Sequence, residues 1–345
     1  MSARTTWWAA LAVGIGLCAG TPAFAAEQPE APRPALPAAK AAHARLLGIA
    51  VVDGHLAAVG QQGVILRSAD GRSWQQLPSP VSSMLTRVRF LDARHGWIVG
   101  YDGTVLGSAD GGASWKLLHF DSNARALHDV LFTDPQRGIA VGAYGTMLTT
   151  GDGGGHWAEA APMLADLALH LNAIIRLGDG SLLIAGERGL LAHSTDGGAS
   201  WRLLKSPYVG SWFGALAHGE KGALLYGMRG HVFETDDVPA LPTEESSVLL
   251  SLERETPDSE TQNLDGHWRQ LANPVTESLF GGARVGASSA VLVGVNGTIV
   301  RVDLANASLK PVEKLNDEPL SEAALFDGKL IVVGRRGVQN LGVLP

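Results

Sequence analysis

The sequence predicts an all-β fold, a seven-bladed β-propeller built from four-stranded blades. Two internal repeats carry this prediction. A short turn that contains Asp and ends in Trp occurs five times, and a Gly-x-x-Gly pattern preceded by apolar residues occurs seven times along the 345 residues. Repeats of about 40–45 residues are typical of propeller blades. Seven copies of one unit favour a single closed ring over two separate domains.

The Gly-x-x-Gly repeat sets the number of blades. Its first glycines are Gly60, Gly100, Gly142, Gly186, Gly227, Gly294 and Gly334. Most intervals are about 40–44 residues, and the interval after Gly227 is longer by roughly 25, which indicates an insertion. Alternating apolar residues in the second unit predict strands at 86–91, 96–100, 104–108 and 115–118. The Gly-x-x-Gly is then the turn between the second and third strands of each blade.

The Asp-containing turn, called the Asp turn below, joins the third and fourth strands and is predicted to be structural. Its carboxylate can accept hydrogen bonds from the backbone N–H groups that follow it, and its glycines supply positive φ. The Trp begins the next strand and buries a large apolar face. The predicted pairs are Asp70 with Trp74, Asp110 with Trp115, Asp152 with Trp157, Asp196 with Trp201, and a degraded copy, Asp265 with Trp268. These turns should stabilise the blades and take no part in catalysis.

Residues 1–25 have the pattern of a secretory signal peptide. Arg4 supplies the charged start, residues 7–20 the apolar run, and Ala23-Phe24-Ala25 a small-x-small cleavage site. The alternative is a retained membrane anchor, but about 14 apolar residues is short of the roughly 20 that a span needs. Cys18, the one cysteine, would leave with the signal, so no disulfide would support the fold. We therefore expect secretion across the inner membrane and a periplasmic location.

Composition divides the rest of the chain into three parts. Residues 26–44 are rich in Ala and Pro and predict a tether, and residues 45–345 hold the propeller. An acidic insertion at 237–264 interrupts blade five and has an apolar stretch, 248–252, in its middle; it is either a solvated loop with a short hairpin or a docking arm for a partner. The last blade lacks a fourth strand after its third. Either the segment before Leu46 supplies that strand or the blade has three strands.

Charge and residue types exclude several classes of function. The formal net charge of −7 argues against a nucleic-acid partner, which favours a basic surface. The 11 histidines show no paired spacing, so no metal site and no cofactor are predicted. No phosphate loop and no Gly-x-Ser-x-Gly nucleophile elbow is present in the sequence.

The turns between second and third strands, called the tips below, should lie together on one face around the central channel. They carry the candidate partner-binding residues Arg188, Arg229, Arg335, Arg336, Tyr101 and Tyr144. A guanidinium pairs bidentately with carboxylates, so this half-ring suits an acidic peptide. The alternative is that exposed turns simply favour polar residues.

The innermost strand of blade two adds two further candidates, Arg87 and Arg89. His128 and Asp129 stand at the matching places in blade three. These side chains either face a partner in the channel or pair with one another.

The run from Phe90 and Asp92 through Gly96-Trp97, Gly100 and Gly103-Thr104 to Trp115 resembles the photosystem II assembly-factor-like propellers, a branch of the Asp-box proteins. The resemblance covers roughly residues 45–345 and is strongest in blades one to four. It implies a non-enzymatic scaffold that helps a membrane protein complex to assemble and that engages partners through an arginine-rich face. Arg188, Arg229, Arg335 and Arg336 are the positions offered for that role.

A standard secretion signal fits the bacterial, periplasmic branch of the family. Relatives in non-photosynthetic bacteria resemble accessory proteins encoded beside exporters of the resistance-nodulation-division type. A photosystem and an exporter both remain open as the client, and we expect a monomer.

Two rival functions use the same face. A sialidase-like glycoside hydrolase could be assembled from Arg188, Arg229, Arg336, Tyr144, Glu187 and Asp102. Sialidases have six blades, however, and the Arg-Ile-Pro or Arg-Leu-Pro segment that brings their first arginine is missing from this sequence. A glycan- or small-ligand-binding propeller would rely on Tyr101 and Tyr144. We therefore expect no catalytic residues.

Overall fold

The computed structural model describes residues 30–251, 266–312 and 316–343. These residues form seven consecutive antiparallel sheets, six with four strands and one with three. The innermost strand of each sheet contacts the innermost strands on both sides, and the first also contacts the last. The chain is therefore a closed seven-bladed β-propeller, which confirms the predicted fold class. The signal peptide predicted at residues 1–25 lies outside the described residues.

Strands follow the chain from the inner to the outer edge of each blade. Blades one to three comprise β1 (Leu46–Val52), β2 (His55–Gly60), β3 (Ile65–Ser68), β4 (Gln75–Leu77), β5 (Leu85–Phe90), β6 (Gly96–Gly100), β7 (Val105–Ser108), β8 (Lys116–His119), β9 (Leu127–Phe132), β10 (Gly138–Gly142), β11 (Met147–Thr150) and β12 (Ala158–Glu159). Blades four to six comprise β13 (Leu171–Arg176), β14 (Leu182–Gly186), β15 (Leu191–Ser194), β16 (Arg202–Leu203), β17 (Trp212–His218), β18 (Gly222–Gly227), β19 (Val232–Thr235), β20 (Arg269–Gln270), β21 (Leu279–Gly286), β22 (Ser289–Gly294), β23 (Ile299–Asp303) and β24 (Ser308–Pro311). Blade seven comprises β25 (Leu320–Phe326), β26 (Lys329–Gly334) and β27 (Gly337–Val343). Two short helices, α1 (Pro162–Leu167) and α2 (Ser246–Leu250), lie outside the sheets.

Both glycines of the repeat have a steric reason. A Cβ at Gly60 would overlap the carbonyl oxygen of Arg45, just before the inner strand, and the same close approach recurs in the other six blades. Gly63 has a φ of 68°, in the left-handed region, and packs against the carbonyl of Val81. Only glycine combines that φ with that proximity at low cost. The repeat therefore marks where the tips meet the neighbouring backbone.

The Asp turns form the expected hydrogen bonds. Asp110 accepts the N–H of Ser114 at 3.0 Å, the hydroxyl of Ser114 at 2.6 Å and the hydroxyl of Ser108 at 2.8 Å. Burial acts to raise the pKa of Asp110, but these hydrogen bonds lower it to about 2. Trp115 is buried between blades one and two. Equivalent bonds form at Asp70, Asp152 and Asp196, and Trp74, Trp157 and Trp201 are half-buried, whereas Asp265 lies outside the described residues.

Every inner strand carries a β-bulge near its tip end. The bulged residues are Leu47, Thr86, His128, Asn172, Phe213, Phe280 and Ser321. Three of them tie neighbouring blades together. The Thr86 hydroxyl donates to the Leu127 carbonyl at 2.6 Å, the Asn172 amide donates to the Trp212 carbonyl at 2.8 Å, and Nδ1 of His128 lies 3.1 Å from the Leu171 carbonyl. A bulge re-aims one side chain per strand. Here it turns these residues toward the next blade.

The acidic insertion follows β19 and is described as far as Ser251. The N–H of Glu244 donates to the Leu203 carbonyl at 3.0 Å, so the insertion runs along the outer edge of blade four. In the described part of the insertion no hairpin forms, and Ser246–Leu250, which holds most of the apolar stretch, is the helix α2. A helix places Leu249 on one face, where it is buried in the same cluster as the apolar side of α1. Residues 252–264 of the insertion lie outside the described residues.

Residues 30–44 of the segment predicted to be a tether lie against the propeller. The N–H of Ala35 donates to the Ser79 carbonyl at 3.1 Å, and a 3-10 turn at Ala41–His43 contacts β27. Within the described residues blade seven has three strands, β25 to β27. Of the two alternatives for the last blade, the three-stranded form is the one observed.

Candidate functional site

The tips of blades one to six share one backbone conformation. The second residue of each tip lies in the left-handed region with φ between 53° and 57°. These residues are Gln62, Asp102, Tyr144, Arg188, Arg229 and Asn296. Asn and Asp tolerate this region, whereas Tyr and Arg adopt it at a cost of about 1–2 kcal/mol. Three of the predicted binding residues, Tyr144, Arg188 and Arg229, therefore stand at positions where Asn, Asp or Gly would cost less backbone strain.

A recurring hydrogen bond fixes each tip at the channel mouth. The N–H of the first tip residue donates to the carbonyl just before the inner strand, as from Tyr101 to Met84 at 2.8 Å and from Arg335 to Pro319 at 3.1 Å. The same bond forms in the other five blades. All seven tips consequently point to one side of the ring, which is called the tip face below.

The tip of blade three forms a small aromatic and cationic cluster. The Tyr144 side chain is 52% exposed, and the guanidinium of Arg125 lies 5.1 Å from the centre of its ring. Arg125 also donates to the Tyr144 carbonyl at 2.8 Å. The Tyr144 N–H donates to Nδ1 of His170 at 3.1 Å, which places the proton of a neutral His170 on Nε2. Sequence reasoning missed Arg125 and His170, because both lie in loops with no repeat signal.

The arginines of blades four and five sit in different surroundings. Arg188 is half-buried and its guanidinium donates to the Ser251 carbonyl of the insertion at 2.8 Å. Its neighbour Glu187 accepts the N–H of His170 at 3.0 Å. Arg229 is exposed, and its backbone N–H donates to the hydroxyl of Ser278 at 3.1 Å. The insertion therefore reaches the tip face at blade four.

Blade seven presents two arginines on one tip. The Arg335 and Arg336 side chains are 71% and 61% exposed, and both lie near the Glu318 carboxylate, at 3.7 Å and 3.5 Å. The two guanidinium groups therefore share the Glu318 carboxylate and stay largely exposed on the tip. Tyr101 in blade two is 48% exposed, while Asp102 beside it accepts the Ser83 hydroxyl at 2.6 Å.

Arg87 and Arg89 belong to an ion-pair network inside the channel. Arg89 donates twice to Asp129, at 3.1 Å and 2.9 Å, and Nε of Arg87 lies 3.6 Å from the same carboxylate. Arg87 also pairs with Glu322 of blade seven. Burial acts to raise the pKa of Asp129, but the charges of Arg89 and Arg87 hold it below its usual range. Of the two predicted alternatives, the geometry shows these groups pairing with one another.

This network stabilises the ring by linking the inner strands of several blades. Asp129 is fully buried and also accepts two backbone N–H groups, those of Val130 at 2.9 Å and Ile174 at 3.2 Å. Only 12% of the Arg87 side chain is exposed, against 42% for Arg89. The network links blades two, three, four and seven below the tips. Glu322 was missed because nothing in its local sequence sets it apart.

The residues that a hydrolase would use are spread over five blades, from Asp102 in blade two to Arg336 in blade seven. Asp102, Glu187, Arg188 and Arg336 each have a local partner of their own. In the described ranges, no three or more His, Cys, Asp or Glu side chains are grouped to hold a metal ion. None of the helices in the described part of the chain has the length and apolar character needed to cross a membrane.

Comparison with known proteins gives the family. The model of the family "Photosynthesis system II assembly factor YCF48" matches residues 66–126 and 115–240, together just over half of the chain. The photosystem II stability/assembly factor HCF136 of Cyanidioschyzon merolae is 40% identical over 57 residues, 16% of this chain and 13% of that protein. The photosystem II assembly protein Ycf48 of Thermosynechococcus vestitus is 32% identical over 47 residues, 14% of each chain. These alignments span only 13–14% of the relatives' length.

Solved structures share the fold over most of the chain. A structure of YCF48 bound to a D1 peptide superposes with a TM-score of 0.60 at 15% identity, covering 88% of this chain and 94% of that one. YCF48 from Cyanidioschyzon merolae gives 0.63 at 14% identity, covering 86% and 94%. The WD40 propeller of Doa1 gives 0.60 at 13% identity, covering 86% and 92%, so these likenesses show the fold alone. On the match to the family model, the chain belongs to the photosynthesis system II assembly factor YCF48 family of β-propellers.

Proposed function

We propose that the protein is a non-enzymatic accessory factor that binds a segment of a membrane protein complex at its tip face. Family membership supports the class of function, because the curated relatives are named as photosystem II stability or assembly proteins. One solved propeller of similar fold holds a peptide. A peptide segment is therefore the kind of ligand to expect here.

The conformation of the tips is the observation that carries the proposal. Tyr144, Arg188 and Arg229 adopt left-handed φ values of 53–54° on equivalent tips. Strained backbone of this kind persists where the surrounding structure imposes it, and it clusters at binding sites. Since every tip is anchored by the same backbone hydrogen bond, the face is preorganised. A preorganised face loses little conformational entropy when it binds a segment of another protein.

Charge supports an acidic segment as the ligand. The chain carries 34 acidic and 27 basic residues, so its net charge of −7 would repel an acidic partner in general. The tip face departs from that average through Arg188, Arg229, Arg335 and Arg336. Guanidinium groups recognise carboxylates in a planar, bidentate geometry. Tyr101 and Tyr144 add exposed aromatic surface beside them.

The proposed location, oligomeric state and client follow from the sequence-based expectations. We place the protein on the periplasmic side of the inner membrane as a monomer, with an exporter as client in a non-photosynthetic bacterium and a photosystem in a phototroph. We propose no cofactor and no metal for this role.

The test is capture of the client from cells after crosslinking, followed by affinity purification and mass spectrometry. The test variant carries Ala at Arg188, Arg229, Arg335 and Arg336. The control carries Ala at four arginines of the opposite half of the blades, Arg72, Arg94, Arg137 and Arg176, so both variants lose the same charge. We expect an inner-membrane complex to be recovered with the wild type and the control and lost with the tip variant. Equal recovery by both variants would refute the tip face as the binding site.

A further inference from the structure

Among the residues that the structure describes, blade seven ends in an open strand edge. The other six blades close with an outer strand of two to four residues, whereas β27 is the last strand of its sheet within the described residues. An unpaired edge presents a row of backbone N–H and C=O groups that another chain can pair with. Such edges are usually shortened or covered in monomeric proteins, so this one requires an explanation.

The position of the missing strand can be located from the tip glycines. In blades one and six the second glycine of the tip, Gly63 or Gly297, packs against a carbonyl in the loop that follows the outer strand. In blade seven the equivalent Gly337 packs against the carbonyl of Ala42. Ala42 thus occupies the position that follows an outer strand. The residues just upstream, at 36–38, are the ones that would have to form it.

Those upstream residues are bonded to blade one instead. The N–H of Ala38 donates to Oε1 of Gln76 at 2.8 Å, and the Gln76 amide donates to the Leu36 carbonyl at 3.1 Å. Pro37 has no N–H to contribute to a ladder. Among the described residues, no backbone hydrogen bond joins the segment 30–44 to β27. The chain's own candidate strand is therefore held away from the edge.

The faces of β27 are anchored, while its outer edge has no strand partner in the described part of the chain. Asn316 donates to the Gln339 side chain at 2.9 Å, and the Asn340 amide donates to the Gly71 carbonyl of blade one at 3.2 Å. A register shift follows Asn340, and Val343 beyond it is 73% exposed. The regular part of the edge, 337–340, is about as long as the outer strands of the other blades.

We propose that an extended segment of the client adds to blade seven as its fourth strand, with acidic side chains toward Arg335 and Arg336. Both arginines immediately precede β27, and their side chains are 71% and 61% exposed, so their guanidinium groups can reach a carboxylate on an added strand. An antiparallel fourth strand would bring the C-terminal end of the added segment to this tip, so its acidic residues belong at that end. Main-chain pairing supplies affinity in such strand addition and side chains supply selectivity. The inference rests on the proposed function for the partner.

The test closes the edge without changing any native residue. An extension after Pro345 supplies a flexible Gly-Ser linker of about eight residues and then a four-residue strand of Thr and Val, which can return along β27 and pair with its regular part, residues 337–340. The control extension has Pro at alternate strand positions and cannot pair. Hydrogen exchange of the β27 amides checks that the first extension pairs and the second does not.

Client capture from crosslinked cells then compares the two extensions with the wild type. We expect at least tenfold less client with the pairing extension and a wild-type amount with the Pro control. Equal capture by both extensions would overturn the strand addition while leaving the proposed function standing. Failure of the wild type to capture any client would instead overturn the proposed function.

A photo-crosslinker at Val343 gives a second readout that does not depend on the extension. Crosslinks to an acidic segment of the client would support the proposal. Crosslinks to a second copy of this chain, or none to the client, would overturn it.

Discussion

Replacement of Asp129 by Asn tests the channel network, because it removes one charge and keeps the shape of the side chain. Asp129 is fully buried and faces Arg89 at 2.9–3.1 Å and Arg87 at 3.6 Å. Removing one member of a buried pair costs about 3–5 kcal/mol, because the partner charge is left without compensation. The Arg89 side chain is 42% exposed, so solvent screens part of its interaction. We therefore expect a loss of about 3 kcal/mol in the free energy of unfolding, at the lower end of that range.

The assay is urea unfolding followed by tryptophan fluorescence and circular dichroism, with the slope of the transition compared between variants. Asp134→Asn is the matched control in the same blade, because Asp134 pairs with Arg137 at the surface. An exposed pair contributes little, so the control should unfold close to the wild type. If Asp129→Asn and Asp134→Asn shifted the midpoint equally, the network would not be the stabilising feature argued here.

Three further predictions concern the repeats. Gly60→Ala should lower the free energy of unfolding by more than about 2 kcal/mol in thermal unfolding, because the new Cβ would overlap the Arg45 carbonyl. Gly151→Ala is the control and should have little effect, because a Cβ at that position has no atom within 4 Å. Asp110→Ala should lower the free energy of unfolding by about 1 kcal/mol, because turn hydrogen bonds are lost, and should leave client capture unchanged. Loss of capture in a folded variant would show that the binding face has been assigned wrongly. The pKa of the turn carboxylates Asp70 and Asp110 is lowered from 3.8 to about 2, so their contribution should be complete above about pH 4 and disappear as the pH falls through 2. Urea unfolding followed by circular dichroism at each pH checks this, and a constant free energy of unfolding between pH 2 and 5 would contradict it.

The blade count and the strand bounds could be predicted because their causes are local. Gly60 packs against the carbonyl of Arg45, just before the inner strand of its own blade, and Gly63 against that of Val81, in the loop that follows the outer strand of that blade. In blade two the strands start and end within one residue of the predicted positions. A repeat that encodes its own turn therefore fixes the architecture without knowledge of distant contacts.

The site was less predictable because its partners are remote in sequence. Arg87 pairs with Glu322, which lies in the last blade, and only ring closure brings the two together. The contact of Arg188 with Ser251 depends on how the insertion crosses blade four. The helix at Ser246–Leu250 was likewise not predicted, because it depends on the burial of Leu249 against a neighbouring helix, a tertiary contact that alternation along the chain does not contain.

The tip conformation shows a third limit. The sequence places Tyr144 and Arg229 between two glycines, which is compatible with several turn types. Their positive φ follows from the hydrogen bond to the residue before the inner strand and from the packing of the second glycine. Those contacts hold the backbone of each tip in one conformation, and they exist only in the folded ring.

The central claim is that the client binds the tip face. A photo-crosslinking amino acid placed singly at Tyr144, Arg229, Arg72 or Arg137 tests it most directly, because the first two positions lie on the tip face and the last two on the opposite half of the blades. We predict crosslinks to one inner-membrane complex from Tyr144 and Arg229 and none from the other two positions. Crosslinks to that complex from Arg72 or Arg137 alone would contradict the account.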